Sequence, residues 1–116
     1  MNTLNHFDTP QLELLHRGKV RDSYRAPSGE RLIVVTDRLS AFDSVLETPV
    51  AHKGAVLNGL AAFWFEKTQH IIPNHVISLL DPNVTLAKEA EPIRVEMVVR
   101  NYLTGSMWRG YQSGQR

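Results

Sequence analysis

The sequence predicts an α+β fold, an antiparallel sheet of about five strands with one main helix against a face. Three observations carry this. Short alternating or apolar segments recur at residues 12–17, 31–36, 74–80 and 93–100, as half-buried or buried strands require. The links between the first three strands are too short for crossover helices, which leaves antiparallel pairing. One long stretch, residues 54–69, carries apolar side chains at helical spacing.

Taken in order, Leu12, Leu14 and Leu15 followed by His16 and Arg17 read as a first strand. Gly18 permits a turn, and Val20 to Tyr24 continue as a second strand. The run A-P-S-G-E at 26–30 is a turn by composition. Residues 31–36, R-L-I-V-V-T, read as a buried third strand. Residues 45–50 allow another short strand, limited by Pro49. In the helix, Leu57, Leu60, Ala61 and Trp64 fall at i, i+3, i+4 and i+7, widened by Val56 and Phe63, and this stripe is expected to face the core. Residues 74–80 form the next strand, 81–83 a turn, and 87–92 a charged connector. Ile93, Val95, Met97 and Val99 then alternate with Arg94, Glu96, Val98 and Arg100 as a final strand, which opens into a polar loop through Thr104, Gly105 and Ser106.

Composition bounds the function. At 116 residues the chain fits one domain with its own core. The 42% hydrophobic and 22% charged fractions are those of a soluble globular protein. With 13 Lys and Arg against 12 Asp and Glu, well interspersed, no basic stripe invites nucleic acid. The absence of cysteine excludes disulfides, thiolate metal sites and a cysteine nucleophile, and fits a reducing compartment. Residues 1–11 do not read as a signal peptide, and the longest apolar run, 60–65, is too short for a membrane span. The expectation is a cytoplasmic protein with neither nucleic-acid nor membrane partners.

Several groups could bind anions or substrates. Gly18, Lys19 and Arg21 combine a backbone that can approach a phosphate closely with flanking positive charge. This is neither the P-loop nor the dinucleotide fingerprint, and a solvated hairpin turn is the simpler alternative. A glycine turn between antiparallel strands is also how kinases cover ATP phosphates, but further loop glycines and a V-A-I-K strand are missing. Asp37, Ser40 and Asp43 could meet a polar substrate or hydrated Mg2+, or simply cap local backbone. Lys53 and Gly54 could hold an anion at the helix N-terminus, and His75 could be a ligand, a base or a structural residue. Arg100, at a strand end before Thr104, Gly105 and Ser106, forms a candidate anion-binding corner.

Taken together and in order, G-K-V-R-D-S-Y (18–24), T-D-R-L-S-A-F-D (36–43), K-G-A-V-L-N (53–58), P-N-H (73–75) and V-E-M-V-V-R-N-Y-L-T-G-S-M-W (95–108) resemble the SAICAR synthetase family of purine biosynthesis. Each motif is weak alone; five in order across 15–111 are specific. The resemblance implies a kinase-like amino-terminal ATP-binding lobe. It further implies an ATP- and Mg2+-dependent ligase that joins L-aspartate to carboxyaminoimidazole ribonucleotide, giving SAICAR, ADP and phosphate. By resemblance, Lys19, Val20, Arg21 and Ser23 bind ATP, while Ser40, Asp43, Arg100 and Ser106 bind substrate. No catalytic residue or protein metal ligand is singled out.

Family members are considerably longer and carry a downstream D-x-K-x-E-F-G motif that these residues lack. The expectation is therefore an N-terminal arm at 1–11 and an amino-terminal ATP-binding domain at 12–116, with 93–116 leading into a missing C-terminal domain. Such a chain is expected to be inactive alone and prone to self-association through exposed apolar surface. The alternative is a stand-alone nucleotide-binding module without catalysis. A non-catalytic RNA-binding domain is disfavoured by the balanced charge.

Overall fold

A computed structural model describes residues 2–115. Five strands, β1 (Glu13–Arg17), β2 (Arg21–Arg25), β3 (Arg31–Val35), β6 (Val76–Asp81) and β7 (Val84–Ala87), form one antiparallel sheet in the order β1-β2-β3-β7-β6. A separate two-stranded hairpin pairs β4 (Ser40–Ala41) with β5 (Ser44–Val45). The helices are α1 (Lys53–Thr68) and α2 (Gly105–Gln112). The expected α+β architecture of about five strands and one main helix stands.

The turn before β3 follows its composition. Ala26 and Glu30 close it through an N–H to carbonyl bond of 2.8 Å. Gly29 takes a φ of +98° there, which side chains with a Cβ rarely tolerate.

Strand alternation gives the sheet two different faces. Asp22 and Tyr24 of β2 and Val34 of β3 are buried on one side, where residues 4–8 cross over them. That contact is largely backbone: Leu4 N–H donates to Asp37, Asp37 N–H returns to the Leu4 carbonyl, and the Tyr24 hydroxyl donates to the Phe7 carbonyl. Phe7 also meets Tyr24 edge to face, 5.5 Å between ring centroids. The opposite side carries Arg21, Ser23, Ile33, Val35 and Thr85 beneath α1.

The helix boundaries agree with the sequence within one residue, but its orientation does not. Leu57, Leu60 and Trp64 of the expected core stripe are 41%, 53% and 57% exposed. The helix instead lies on its Gly54 and Asn58 side, the two residues it buries. A Cβ on Gly54 would collide with the carbonyl oxygens of Val35 and Thr36 and with Asn83, so only glycine lets the helix backbone sit this close. Asn58 accepts from Thr85 Oγ1 at 2.9 Å and donates to the Pro82 carbonyl at 3.1 Å. Close approach and buried hydrogen bonds outrank apolar periodicity in choosing the face.

Two further segments differ from expectation. Residues 93–100 are exposed throughout and join no strand, despite their alternation. The fifth strand is β7: Asp81 Oδ1 accepts from Asn83 N–H at 3.0 Å, and this tight turn sends the chain straight back between β6 and β3. Alternation supplies two faces but no partner, and the open edge of β3 is already filled. The polar loop after Arg100 ends at Thr104, where α2 begins; Trp108 stacks on Tyr111 at 5.7 Å along it. Of the short strand expected at 45–50, only Val45 pairs, at the end of β5.

Candidate functional site

A cleft of about 560 Å3 opens between the sheet and α1, a volume suited to a small organic ligand. Lys19, Val20, Arg21 and Ser23 all line it, so the turn before β2 and the outward-alternating residues of β2 converge on one space. Its lining also contains Arg31, His16 and His75, and no carboxylate among the described residues. Basic groups converging on a partly enclosed cleft can meet an anion, to the extent that their own carboxylate partners leave them free.

The three cations are differently employed. Arg31 is clamped by Glu89 through two bonds of 3.0 and 2.7 Å, which raises the guanidinium's proton affinity and lowers that of Glu89. Lys19 Nζ lies 2.5 Å from Asp43 Oδ1, and this hydrogen bond holds the Asp43 carboxyl below its usual range. Arg21 has no ion-pair partner among the described residues.

Asp43 reaches Lys19 from the β4–β5 turn, where Phe42 and Asp43 both take positive φ values of 49° and 65°. Ser40 sits half-buried in β4 of the same hairpin. The structure thus brings Asp43 to the basic turn and keeps Ser40 on the adjacent strand. Arg100 and Ser106 are exposed and line no part of the cleft. Lys53 and Gly54 form no open anion site: Lys53 Nζ donates to the Arg38 carbonyl at 2.8 Å, and Gly54 N–H is taken by Asp37 Oδ1 at 2.9 Å.

Asp37 closes the N-terminus of α1 from a distance, because His52 at the N-cap offers no side-chain bond. Burial pushes its carboxyl up, but N–H groups of Gly54, Leu4 and His52 outweigh this and leave it lowered. Asn58, Phe65 and His75 complete the cleft. Sequence reasoning missed Asn58 and Phe65 because it centred the core stripe on Leu60 and Trp64, rotated from the face that lines the cleft, which shares only Leu57 and Ala61 with that stripe. His75 was in view only as a lone histidine; Phe65 meets it edge to face at 5.3 Å.

An antiparallel sheet beneath one helix, with a basic turn at the cleft, defines an α+β lobe of the SAICAR synthase type: two solved structures superpose on it with a TM-score of 0.88 at 30% identity. One, a SAICAR synthase, is matched over 95% of this chain and 45% of its own. The other, from Saccharomyces cerevisiae in complex with SAICAR, is matched over 96% and 45%. The SAICAR synthetase family profile matches residues 14–116, and the chain belongs to that family. A phosphoribosylaminoimidazole-succinocarboxamide synthase of Methylobacillus flagellatus is 41% identical over 97% of this chain and 42% of its own length. One of Azobacteroides pseudotrichonymphae is 47% identical over all of this chain and 36% of its own. The chain therefore spans well under half the length of these relatives.

Among the described residues, no three His, Cys, Asp or Glu side chains gather as a metal site. Asp43, the acidic residue drawn to the basic turn, is engaged by Lys19. These residues do not by themselves fit a protein-held Mg2+. Among the described residues, no helix is long and apolar enough to cross a membrane.

Proposed function

We propose that this chain is the nucleotide-binding part of an ATP-dependent ligase that joins L-aspartate to carboxyaminoimidazole ribonucleotide, forming SAICAR, ADP and phosphate. The observation that carries this is the convergence of Lys19, Val20, Arg21 and Ser23 on one cleft in a member of the SAICAR synthetase family. Lys19 and Arg21 offset phosphate charge, Ser23 offers a hydroxyl, and the apolar walls from Ile33 and Phe65 suit a purine ring.

Activation of a carboxylate by phosphoryl transfer demands compensated negative charge more than a general base. This chain supplies part of that compensation at the cleft. Arg100 and Ser106 belong to the acceptor-nucleotide side, with Ser40 and Asp43 bordering it. Mg2+ brought with the nucleotide would add charge neutralisation, and no residue of this chain is assigned to hold it. In this reading 12–116 is the ATP-side domain, behind an arm at 1–11. Residues 93–116 lead toward further polypeptide that completes the substrate site.

Isothermal titration of the 116-residue chain with ATP tests the reading. ATP binding that weakens in Lys19→Met is expected. In a coupled assay with aspartate and the imidazole nucleotide, no ADP release is expected from this chain alone. Absence of ATP binding sinks the nucleotide-site assignment; aspartate-dependent turnover sinks the division of labour.

A further inference from the structure

Arg38 is only 6% exposed and lies just beyond β3, behind the basic turn. It spends every guanidinium donor inside the protein. Nε donates to the Lys19 carbonyl at 3.0 Å, Nη1 to the Asn5 carbonyl at 2.8 Å and Asp22 Oδ2 at 3.4 Å, and Nη2 to the Gly18 carbonyl at 3.1 Å and Asp22 Oδ1 at 2.6 Å. The next carbonyl, that of Val20, is held by the Thr36 N–H at 3.0 Å and the Thr36 hydroxyl at 2.9 Å.

Three consecutive carbonyls of the turn are therefore fixed. A trans peptide group is planar, with its N–H opposed to its C=O. The two peptides that Arg38 grips by oxygen are those whose N–H groups belong to Lys19 and Val20. Those two N–H groups find no acceptor among the described residues. Arg38 lies on the Asp22 side of the sheet, and the cleft lies on the other. Holding the oxygens behind the sheet turns the amides forward.

We propose that Arg38 is a positioning residue for a polyphosphate ligand, acting through the turn and not by contact. It fixes the Gly18–Lys19 and Lys19–Val20 peptides so that their N–H groups form an anion-facing pair beside the Lys19 ammonium. This rests on reading residues 18–21 as the phosphate-binding turn. Asp22 offsets the Arg38 charge, so its contribution to binding is geometric. If either peptide flips, a carbonyl dipole faces the phosphate and repels it. Lysine at this position keeps the charge but has one nitrogen to serve acceptors spread around a planar fork.

The test is titration of the 116-residue chain with tripolyphosphate, followed by amide NMR. In the unaltered chain, the Lys19 and Val20 amides are expected to shift on binding. Arg38→Lys is expected to bind about tenfold more weakly and to lose the response at those two amides. The β6 and β7 amides should stay unchanged in that variant, showing that the sheet is intact. Methylguanidinium should restore part of the binding in Arg38→Ala, which a purely structural defect would not allow.

An Arg38→Lys chain that binds as tightly as the parent, with the same two amides responding, overturns the proposal. If that variant does not fold, the unaltered chain decides: shifts confined to amides elsewhere overturn it. If the unaltered chain binds no tripolyphosphate at all, the phosphate-turn reading itself fails, and this inference falls with it.

Discussion

Asp22 and Arg38 meet at 2.6 Å with side-chain exposures of 0% and 7%, an ion pair closed off from water beneath the sheet. Desolvating both charges is costly, and the pair offsets that cost only while both members are present. Asp22→Asn leaves the guanidinium buried without its counter-charge. A loss of about 3 kcal/mol is expected in urea unfolding. Asp22→Asn within about 0.5 kcal/mol of the parent would show that the pair is more hydrated than its geometry indicates.

Gly54 gives a second, purely steric prediction. Gly54→Ala places a methyl group against two backbone oxygens that cannot rotate away. The helix must lift from β3, at a cost of about 3 kcal/mol by chemical denaturation. Gly59→Ala, on the same helix but with nothing within 4 Å of the added carbon, is expected to be neutral or stabilising.

Acid stability should depend on Asp37. Its folded-state proton affinity lies below the ordinary value of 3.8. The stabilisation it gives is therefore complete above pH 3.8 and is lost as pH falls through the lowered value. Unfolding followed against pH should show a loss beginning below about pH 4, and Asp37→Asn should flatten that limb. Glu30, Glu89 and Asp43 shift in the same direction, Glu89 and Asp43 from exposed positions where solvent screens the effect and half-buried Glu30 through the Ser28 hydroxyl.

The Lys19–Asp43 pair competes with any anion for the same ammonium. Asp43→Asn is expected to raise tripolyphosphate affinity a few-fold at low salt, with the gain fading as ionic strength rises. Lys19→Met should lower it by about tenfold. Equal affinities for Asp43→Asn and the parent at low salt would show that Lys19 is already free of Asp43 in solution.

The two faces of α1 should respond in opposite ways. Leu60→Gln changes an exposed side chain and is expected to stay within about 0.5 kcal/mol of the parent. Asn58→Ala strands the Thr85 hydroxyl and the Pro82 carbonyl, and about 2 kcal/mol should be lost. Reversed magnitudes would restore the apolar stripe to the core.

Those contrasts mark what the residue pattern could disclose. Strands β1, β2 and β3 were legible because short strand-like segments lay between turns too brief for a crossover, and β6 because a short apolar segment followed the helix and ended at a turn. The basic turn was legible because Gly18, Lys19 and Arg21 are chemically conspicuous neighbours in sequence. The face of α1 was hidden because the deciding contacts involve Gly54 with Val35 and Asn58 with Thr85, partners distant along the chain. Arg38 was likewise invisible as a support for the turn, since its acceptors are mostly backbone oxygens, which no sequence motif displays. The alternation at 93–100 misled because a period of two shows two faces and names no partner, and neither outer edge of the sheet, at β1 or β6, pairs with it.

The crossing by residues 4–8 has an evolutionary corollary. The sheet grips this segment through the Leu4 N–H and the carbonyls of Leu4, Asn5 and Phe7, groups that almost every amino acid possesses. Apart from Phe7 against Tyr24 and the Asp8 carboxylate that accepts from Arg17, its letters are free to drift while its register is not. Proline at position 4 removes one of the N–H groups that Asp37 accepts, and a single inserted residue displaces every bond at once. Divergence here should accumulate as substitutions and almost never as insertions, a pattern opposite to that of an ordinary loose tail.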